Sequence, residues 1–131
     1  MIFALDTNII VELLRQKDRT LAEKYLSKTP ASYSVPEMVR AELLFGAKIS
    51  ARAMSNQKAV ATFLAPLQRL PFEGEAVEHY AEIRAHLEKS GIPIGPSDLV
   101  IAATARANGH TLLTRNTSKF RRIPALAVEE W

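Results

Sequence analysis

Two polar side chains follow predicted strands closely and are candidates for a shared site. Asp6 comes directly after the apolar residues 2–5, and Asn116 comes two residues after a predicted strand at 111–114. An apolar run that stops abruptly at a polar residue is typical of a buried strand in a parallel sheet. Such sheets bind ligands at the carboxyl ends of their strands. We therefore expect Asp6 and Asn116 to lie at the same edge of a sheet.

Two further acids complete a set of oxygen ligands. Asp98 begins a helical segment that leaves the loop at 91–95, so the helix dipole favours its anionic form. Glu42 lies in a largely apolar helical segment, where a carboxylate needs a partner or a polar cavity. Four such ligands at one edge make a site for a hard cation, Mg²⁺ or Mn²⁺. That cation would relieve the repulsion between carboxylates and activate water for attack on phosphorus.

Each acid also has a purely structural interpretation. Asp6 and Asp98 are suitable helix N-caps, and Glu42 would be an ordinary residue on a solvent-facing helix. Other chemistries lack their signatures, because the chain has no GxxxxGK[ST] or GxGxxG loop, no HExxH pair and no GxSxG elbow. His79 and His86 lie seven residues apart on an acidic helical segment, and we expect both to face solvent.

Alternating strand and helix patterns supply the frame for these residues. We predict strands at 2–5, 31–35, 68–72, 111–114 and 126–128, and helices starting after Asp6 and at 20–28, 36–47, 51–65, 75–89 and 96–107. This alternation is typical of an α/β fold with a mainly parallel central sheet flanked by helices. The length of 131 residues fits a single domain, 1–131.

Positive charge is concentrated towards the end of the chain. The net charge is only +3, yet no acidic residue occurs between Asp98 and Glu129. A polyanion is the partner that this distribution favours, and a solvated surface is the alternative. The basic residues of this stretch are Arg106, Arg115, Lys119, Arg121 and Arg122.

Composition indicates where the protein works. The chain has no cysteine, which excludes disulfides and thiolate metal sites and is consistent with a reducing cytosol. Its apolar stretches are too short to span a membrane, and the start MIFALDTNII lacks the basic region of a signal peptide. We therefore expect a cytoplasmic protein without membrane contact.

Four segments carry a resemblance to a known family. They are LDTNII, RAELLFGA, IGPSDLVIAATA and LLTRNTSKF, in this order and spacing. With them the chain closely resembles the PIN-domain ribonucleases of the VapC toxin type, from Met1 to Trp131. No segment is specific alone, and the ordered set makes the resemblance strong.

The resemblance implies a function and the residues that perform it. The family's acidic positions fall on Asp6, Glu42 and Asp98, which are thereby expected to be catalytic and to bind Mg²⁺, or Mn²⁺ in its place. Asn116 stands at a fourth catalytic position that many PIN domains fill with aspartate, so either one or two metal ions remain compatible. Thr7 and Thr114 are supporting candidates, with helix capping or strand packing as their alternative.

The resemblance also implies an activity and partners. The activity is Mg²⁺-dependent endoribonuclease cleavage, and the partners are an RNA substrate, a VapB-type antitoxin and a second toxin in a homodimer. Toxin and antitoxin would form a hetero-oligomer. In this interpretation the basic residues Arg115, Lys119, Arg121 and Arg122 contact RNA phosphates without reading sequence.

Two other function classes stay open at this point. One is a different Mg²⁺-dependent phosphoryl enzyme such as a phosphatase, which the basic segment and the absence of an Asp-x-Asp pair disfavour. The other is a non-catalytic PIN-like binding module, which would be expected to lose some of the acidic positions that this chain keeps. Transfer, ribosomal and messenger RNA are all compatible with the pattern.

Overall fold

A sheet of five parallel strands forms the centre of the computed structural model, which describes residues 1–131. The strands are β1 (Phe3–Leu5), β2 (Tyr33–Pro36), β3 (Gln68–Leu70), β4 (Thr111–Leu113) and β5 (Val128–Glu129). Their order across the sheet is β3-β2-β1-β4-β5, and every pairing is parallel. Strands β2 and β3 lie on one side of β1, and β4 and β5 lie on its other side, so the order in which strands are added reverses between β1 and β4. Ligands bind at such a topological switch point, outside the carboxyl ends of the strands.

Seven α-helices connect the strands. They are α1 (Thr7–Arg15), α2 (Arg19–Leu26), α3 (Glu37–Lys48), α4 (Ala53–Leu64), α5 (Glu75–Lys89), α6 (Pro96–Ala107) and α7 (Thr117–Phe120), with a 3₁₀ turn at Pro30–Ser32. Two aspartates cap their helices, because Asp6 accepts a hydrogen bond from the Thr7 amide at 2.8 Å and Asp18 accepts one from the Leu21 amide at 3.0 Å. None of the helices has the length and apolar character needed to cross a membrane.

The core holds the switch point in place. All three residues of β1 are buried, and Leu112 and Leu113 of β4 are fully inaccessible to solvent. Helix α6 contacts β2, β4 and α5, and its Ile101, Ala102 and Ala103 are also fully buried. The carboxyl ends of β1 and β4 and the start of α6 are therefore held by buried residues.

The predicted α/β class with a parallel central sheet is confirmed, although some boundaries differ. The strand predicted at 31–35 begins only at Tyr33, because Pro30 starts a 3₁₀ turn. Strand β3 ends at Leu70, one residue before Pro71, which has no amide hydrogen for the ladder. The last strand starts at Val128, after Ala125 adopts a positive φ of 61°. Helix α7 is a single turn and was not predicted, since one turn gives no periodic signal.

One histidine differs from the sequence prediction. His86 is exposed as expected, whereas His79 is half-buried and its Nδ1 accepts a hydrogen bond from the Arg106 Nε at 2.9 Å. Arg106 also donates to Glu82 and to the Pro124 carbonyl, so it ties α6 to α5 and to the segment before β5. This arginine of the basic stretch therefore has a structural role.

Candidate active site

Asp6 lies at the carboxyl end of β1 and is 6% exposed. Its amide donates to the Leu113 carbonyl at 3.0 Å, which fixes the residue against the end of β4. One carboxylate oxygen caps α1 through the Thr7 amide, and the other accepts a hydrogen bond from the Thr114 hydroxyl at 2.7 Å. The capping interpretation is thus correct for Asp6, and the same carboxylate also faces the switch point.

The surroundings of Asp6 oppose its ionisation. Burial raises the pKa of Asp6 above its usual value, and the negative charge of Asp98 raises it further. Hydrogen bonds from Thr114 and Thr7 act in the opposite direction, as does the charge of Lys119. The charge of Asp98 therefore acts on the Asp6 carboxylate.

Replacement of Asp6 by asparagine should stabilise the metal-free fold at neutral pH. A raised folded-state pKa means that the folded chain binds the proton more tightly than the unfolded chain does. In the wild type, the protonated Asp6 carboxyl therefore stabilises the fold at acidic pH, and this stabilisation is lost as the pH rises through the folded-state pKa of Asp6. Thermal unfolding of both proteins in a chelating buffer, at acidic and neutral pH, measures the difference. An Asp6→Asn variant that is less stable at neutral pH would show that the capping role dominates.

Asp98 is the third residue of α6 and does not cap it. The N-cap is Gly95, and no side chain caps this helix, so the capping interpretation of Asp98 is wrong. The Asp98 side chain is 26% exposed, and its Oδ2 accepts a hydrogen bond from the Lys119 ammonium at 2.6 Å. A carboxylate left free of a capping duty, in the positive field of a helix N-terminus, is available as a ligand.

Glu42 joins the same edge through Thr7. Glu42 is a half-buried residue of α3, and its Oε1 accepts a hydrogen bond from the Thr7 hydroxyl at 2.6 Å. Thr7 in turn donates its amide to Asp6. A residue 35 positions away in sequence is thereby linked to the end of β1. Glu42 is therefore not an ordinary residue of a solvent-facing helix.

Asn116 reaches the edge through its backbone. Its amide donates to the Thr114 hydroxyl at 3.0 Å, and that hydroxyl donates to Asp6. Asn116 itself is exposed and precedes α7, so its side-chain amide is open to solvent. Both threonines proposed as supporting residues thus orient the site, Thr7 for Glu42 and Thr114 for Asp6 and Asn116.

The four predicted RNA-contacting residues fall into two groups. Arg121 and Arg122 are exposed and form no ion pair. Arg115 pairs with Asp18 at 2.5 Å, and Lys119 pairs with Asp98. The pairing of Lys119 was missed because a run of basic residues in a sequence carries no information on which acid each one will meet.

The donor set fits a hard divalent cation without forming a finished cage. As they stand, no three acidic or histidine side chains surround a common point that could hold a metal ion. The charge of Asp98 nevertheless raises the pKa of Asp6, and a cation, the Lys119 ammonium, already lies against Asp98. Carboxylate oxygens of this kind are the ligands that Mg²⁺ and Mn²⁺ prefer.

A groove leads away from this site. It begins at Thr7 and Glu42, runs between α1, α3 and α4, and has a volume of about 560 Å³. Most of its lining is apolar: Val11, Leu14, Leu43, Gly46, Ala47, Ala59 and Val60. Phe45 of α3 and Met54 of α4 do not line the groove, but they belong to the helices that form it and are 64% and 87% exposed. Large apolar side chains left in water beside an apolar groove indicate a contact surface.

Comparison with known proteins agrees with this geometry. The PIN domain family matches residues 3–126. Ribonuclease VapC2 of Rickettsia felis is 36% identical over 100% of this chain and 98% of its own length. The tRNA(fMet)-specific endonuclease VapC of Salmonella typhimurium is 32% identical over 98% of this chain and 97% of its own.

Solved structures show the same fold. VapBC2 from Rickettsia felis, bound to a DNA fragment from its promoter, matches with a TM-score of 0.91 and 34% identity, covering 100% of this chain and 99% of that one. DNA-bound VapBC from Salmonella typhimurium matches with a TM-score of 0.93 and 31% identity, covering 100% of this chain and 98% of that one. The chain therefore belongs to the PIN domain family and, within it, to the VapC ribonucleases.

Proposed function

We propose that this chain is the toxin of a VapBC-type pair and that it hydrolyses RNA phosphodiester bonds with Mg²⁺, or Mn²⁺ in its place. The observation that carries the proposal is the linkage of three acids at the switch point. Asp6 and Asp98 are electrostatic neighbours, and Thr7 joins Glu42 to Asp6. An RNA substrate, an antitoxin partner and a toxin homodimer belong to the same proposal.

Each residue has a part in this reaction that follows from its surroundings. Asp6 and Asp98, with Glu42, would hold the metal, which when bound supplies positive charge to activate water and to stabilise the reacting phosphate. The Thr7 hydroxyl donates a hydrogen bond to one carboxylate oxygen of Glu42. The other oxygen would orient a water molecule and accept its proton. The exposed side-chain amide of Asn116 would donate to a phosphate oxygen.

Basic side chains extend the site along a substrate. Arg121 and Arg122 are exposed and follow directly on α7, which begins beside Asn116. Contacts from such residues to flanking phosphates increase affinity and make it dependent on salt, without selecting a base. Arg115 is tied to Asp18 and would have to leave that pair to contact RNA.

The groove supports an antitoxin as the second partner. An apolar segment of a VapB-type protein would lie between α1, α3 and α4 and bring an arginine or lysine to the acids at the end of the groove. A guanidinium binds carboxylates through two parallel hydrogen bonds and would compete with the metal. Support comes from the open end of the groove at Glu42 and from the VapBC complexes that share this fold.

Incubation of the purified chain with total RNA and Mg²⁺ tests the catalytic proposal. We expect internal cleavage of RNA that stops when a chelator is added and resumes with excess Mg²⁺. A small phosphate monoester serves as the control substrate and should remain intact. Hydrolysis of the ester with intact RNA would identify a phosphatase, and RNA binding without any cleavage would identify a binding module.

A further inference from the structure

The Lys119 ammonium lies inside the acidic site. Its Nζ is 2.6 Å from Asp98 Oδ2, and both side chains are 26% exposed. No other acid is within ion-pair distance of Lys119, and no other cation is within that distance of Asp98. The pair is therefore exclusive, and it joins α7 to the first turn of α6.

The backbone holds Lys119 in this position. Helix α7 starts directly after Asn116, whose amide is bonded to Thr114 at the end of β4. The next residue, Phe120, is fully buried and anchors this single turn to the core. An anchored turn beside β4 presents the lysine to the switch point, in contrast to a lysine on a free surface.

The charge of Lys119 partly neutralises the acidic site. The ammonium pairs directly with Asp98, and Asp6 is the buried carboxylate at the end of the neighbouring strand β1. Two neighbouring carboxylates in a partly dry site repel each other unless a cation is present. The lysine supplies that cation from within the chain.

We propose that Lys119 is a tethered counter-ion that occupies Asp98 when no divalent cation is bound and must leave Asp98 when one binds. The inference rests on the proposed metal-dependent function. Lys119 is in this sense a positioning residue, since it acts through Asp98. A lysine suits the role because its ammonium is a compact charge on a flexible stem, which can swing into solvent.

The counter-ion has two measurable consequences. A divalent cation must first displace the ammonium. The apparent affinity of the protein for the divalent cation is therefore its intrinsic affinity multiplied by the fraction of molecules in which Asp98 is free. In the absence of metal, the ammonium neutralises Asp98 and stabilises the fold. Removal of the ammonium should thus strengthen metal binding and weaken the metal-free protein, two effects of opposite sign.

Calorimetric titration with Mn²⁺, without RNA, tests the competition. We expect Lys119→Met to bind Mn²⁺ about fivefold more tightly than wild type, the size expected for a partly exposed ion pair. Lys119→Arg keeps the charge and should bind as wild type does. Arg121→Met is the matched control, because it removes an equal charge two residues away without breaking an ion pair. Lys119→Gln replaces the methionine variant if that one does not fold.

Thermal unfolding gives a second readout that a general loss of structure would not reproduce. In a chelating buffer Lys119→Met should unfold at a lower temperature than wild type, and added Mn²⁺ should raise its unfolding temperature by more. Equal Mn²⁺ affinity of Lys119→Met and wild type would overturn this inference alone. Equal tightening in Arg121→Met would do the same, since it would show a general charge effect. No Mn²⁺ binding by any variant would overturn the metal-dependent function together with the counter-ion.

Discussion

Replacement of Asp98 by asparagine is expected to abolish RNA cleavage while leaving the fold intact. The substitution removes one negative charge and keeps the shape of the side chain. Asp98 has no capping duty in α6, so its loss does not release the helix N-terminus. A metal ligand that contributes several kcal/mol to the transition state corresponds to a decrease in rate of about 10³-fold or more.

The measurement is the initial rate of RNA cleavage at saturating Mg²⁺, with circular dichroism to verify the fold. Glu82→Gln is a matched control, because it also removes a carboxylate that pairs with a cation, Arg106, and because Glu82 lies in α5, which contributes no residue to the candidate site. We expect the control to retain its rate. Full activity of purified Asp98→Asn would remove this residue from the metal site.

Parts of the site follow from sequence because they depend on local rules. A buried run that ends at Asp6 predicts a strand and its carboxyl end, and parallel strands place Asp6 and the residues after β4 at one edge. The position of Asn116 near Asp6 follows from the same rule. These residues are adjacent in space because β1 and β4 are neighbours in the sheet, an order that the alternation of elements does not specify by itself.

Other parts depend on contacts between residues that are distant in sequence. Glu42 meets Thr7 across 35 residues, and the helical pattern around it indicates only that a partner is needed. Lys119 looked like one of several surface cations, because a single helical turn leaves no periodic pattern and charge density does not identify partners. The structure resolves both cases by placing α3 and α7 against the ends of β1 and β4.

Substitution of Ala59 by tryptophan should free the toxin from inhibition by its antitoxin. Ala59 is an exposed residue of α4 that lines the groove, so a large ring there takes the space that an apolar segment of the antitoxin would need. Exclusion of a well-buried contact typically costs 2 kcal/mol or more, which is about 30-fold in affinity. Co-expression with the cognate VapB-type antitoxin should then fail to restore growth, whereas it should restore growth with the wild-type toxin.

The design separates loss of inhibition from loss of the toxin. Growth arrest by Ala59→Trp in the absence of antitoxin shows that the variant still folds and acts. Ala85→Trp adds the same ring to an exposed position of α5 that does not line the groove, and the antitoxin should neutralise it as it does the wild type. If the antitoxin neutralises Ala59→Trp equally well, the groove between α1, α3 and α4 is not its docking surface. Among the five pockets, only this groove is lined by both Thr7 and Glu42. An antitoxin that does not use the groove would therefore have to approach the acids from another side of the molecule.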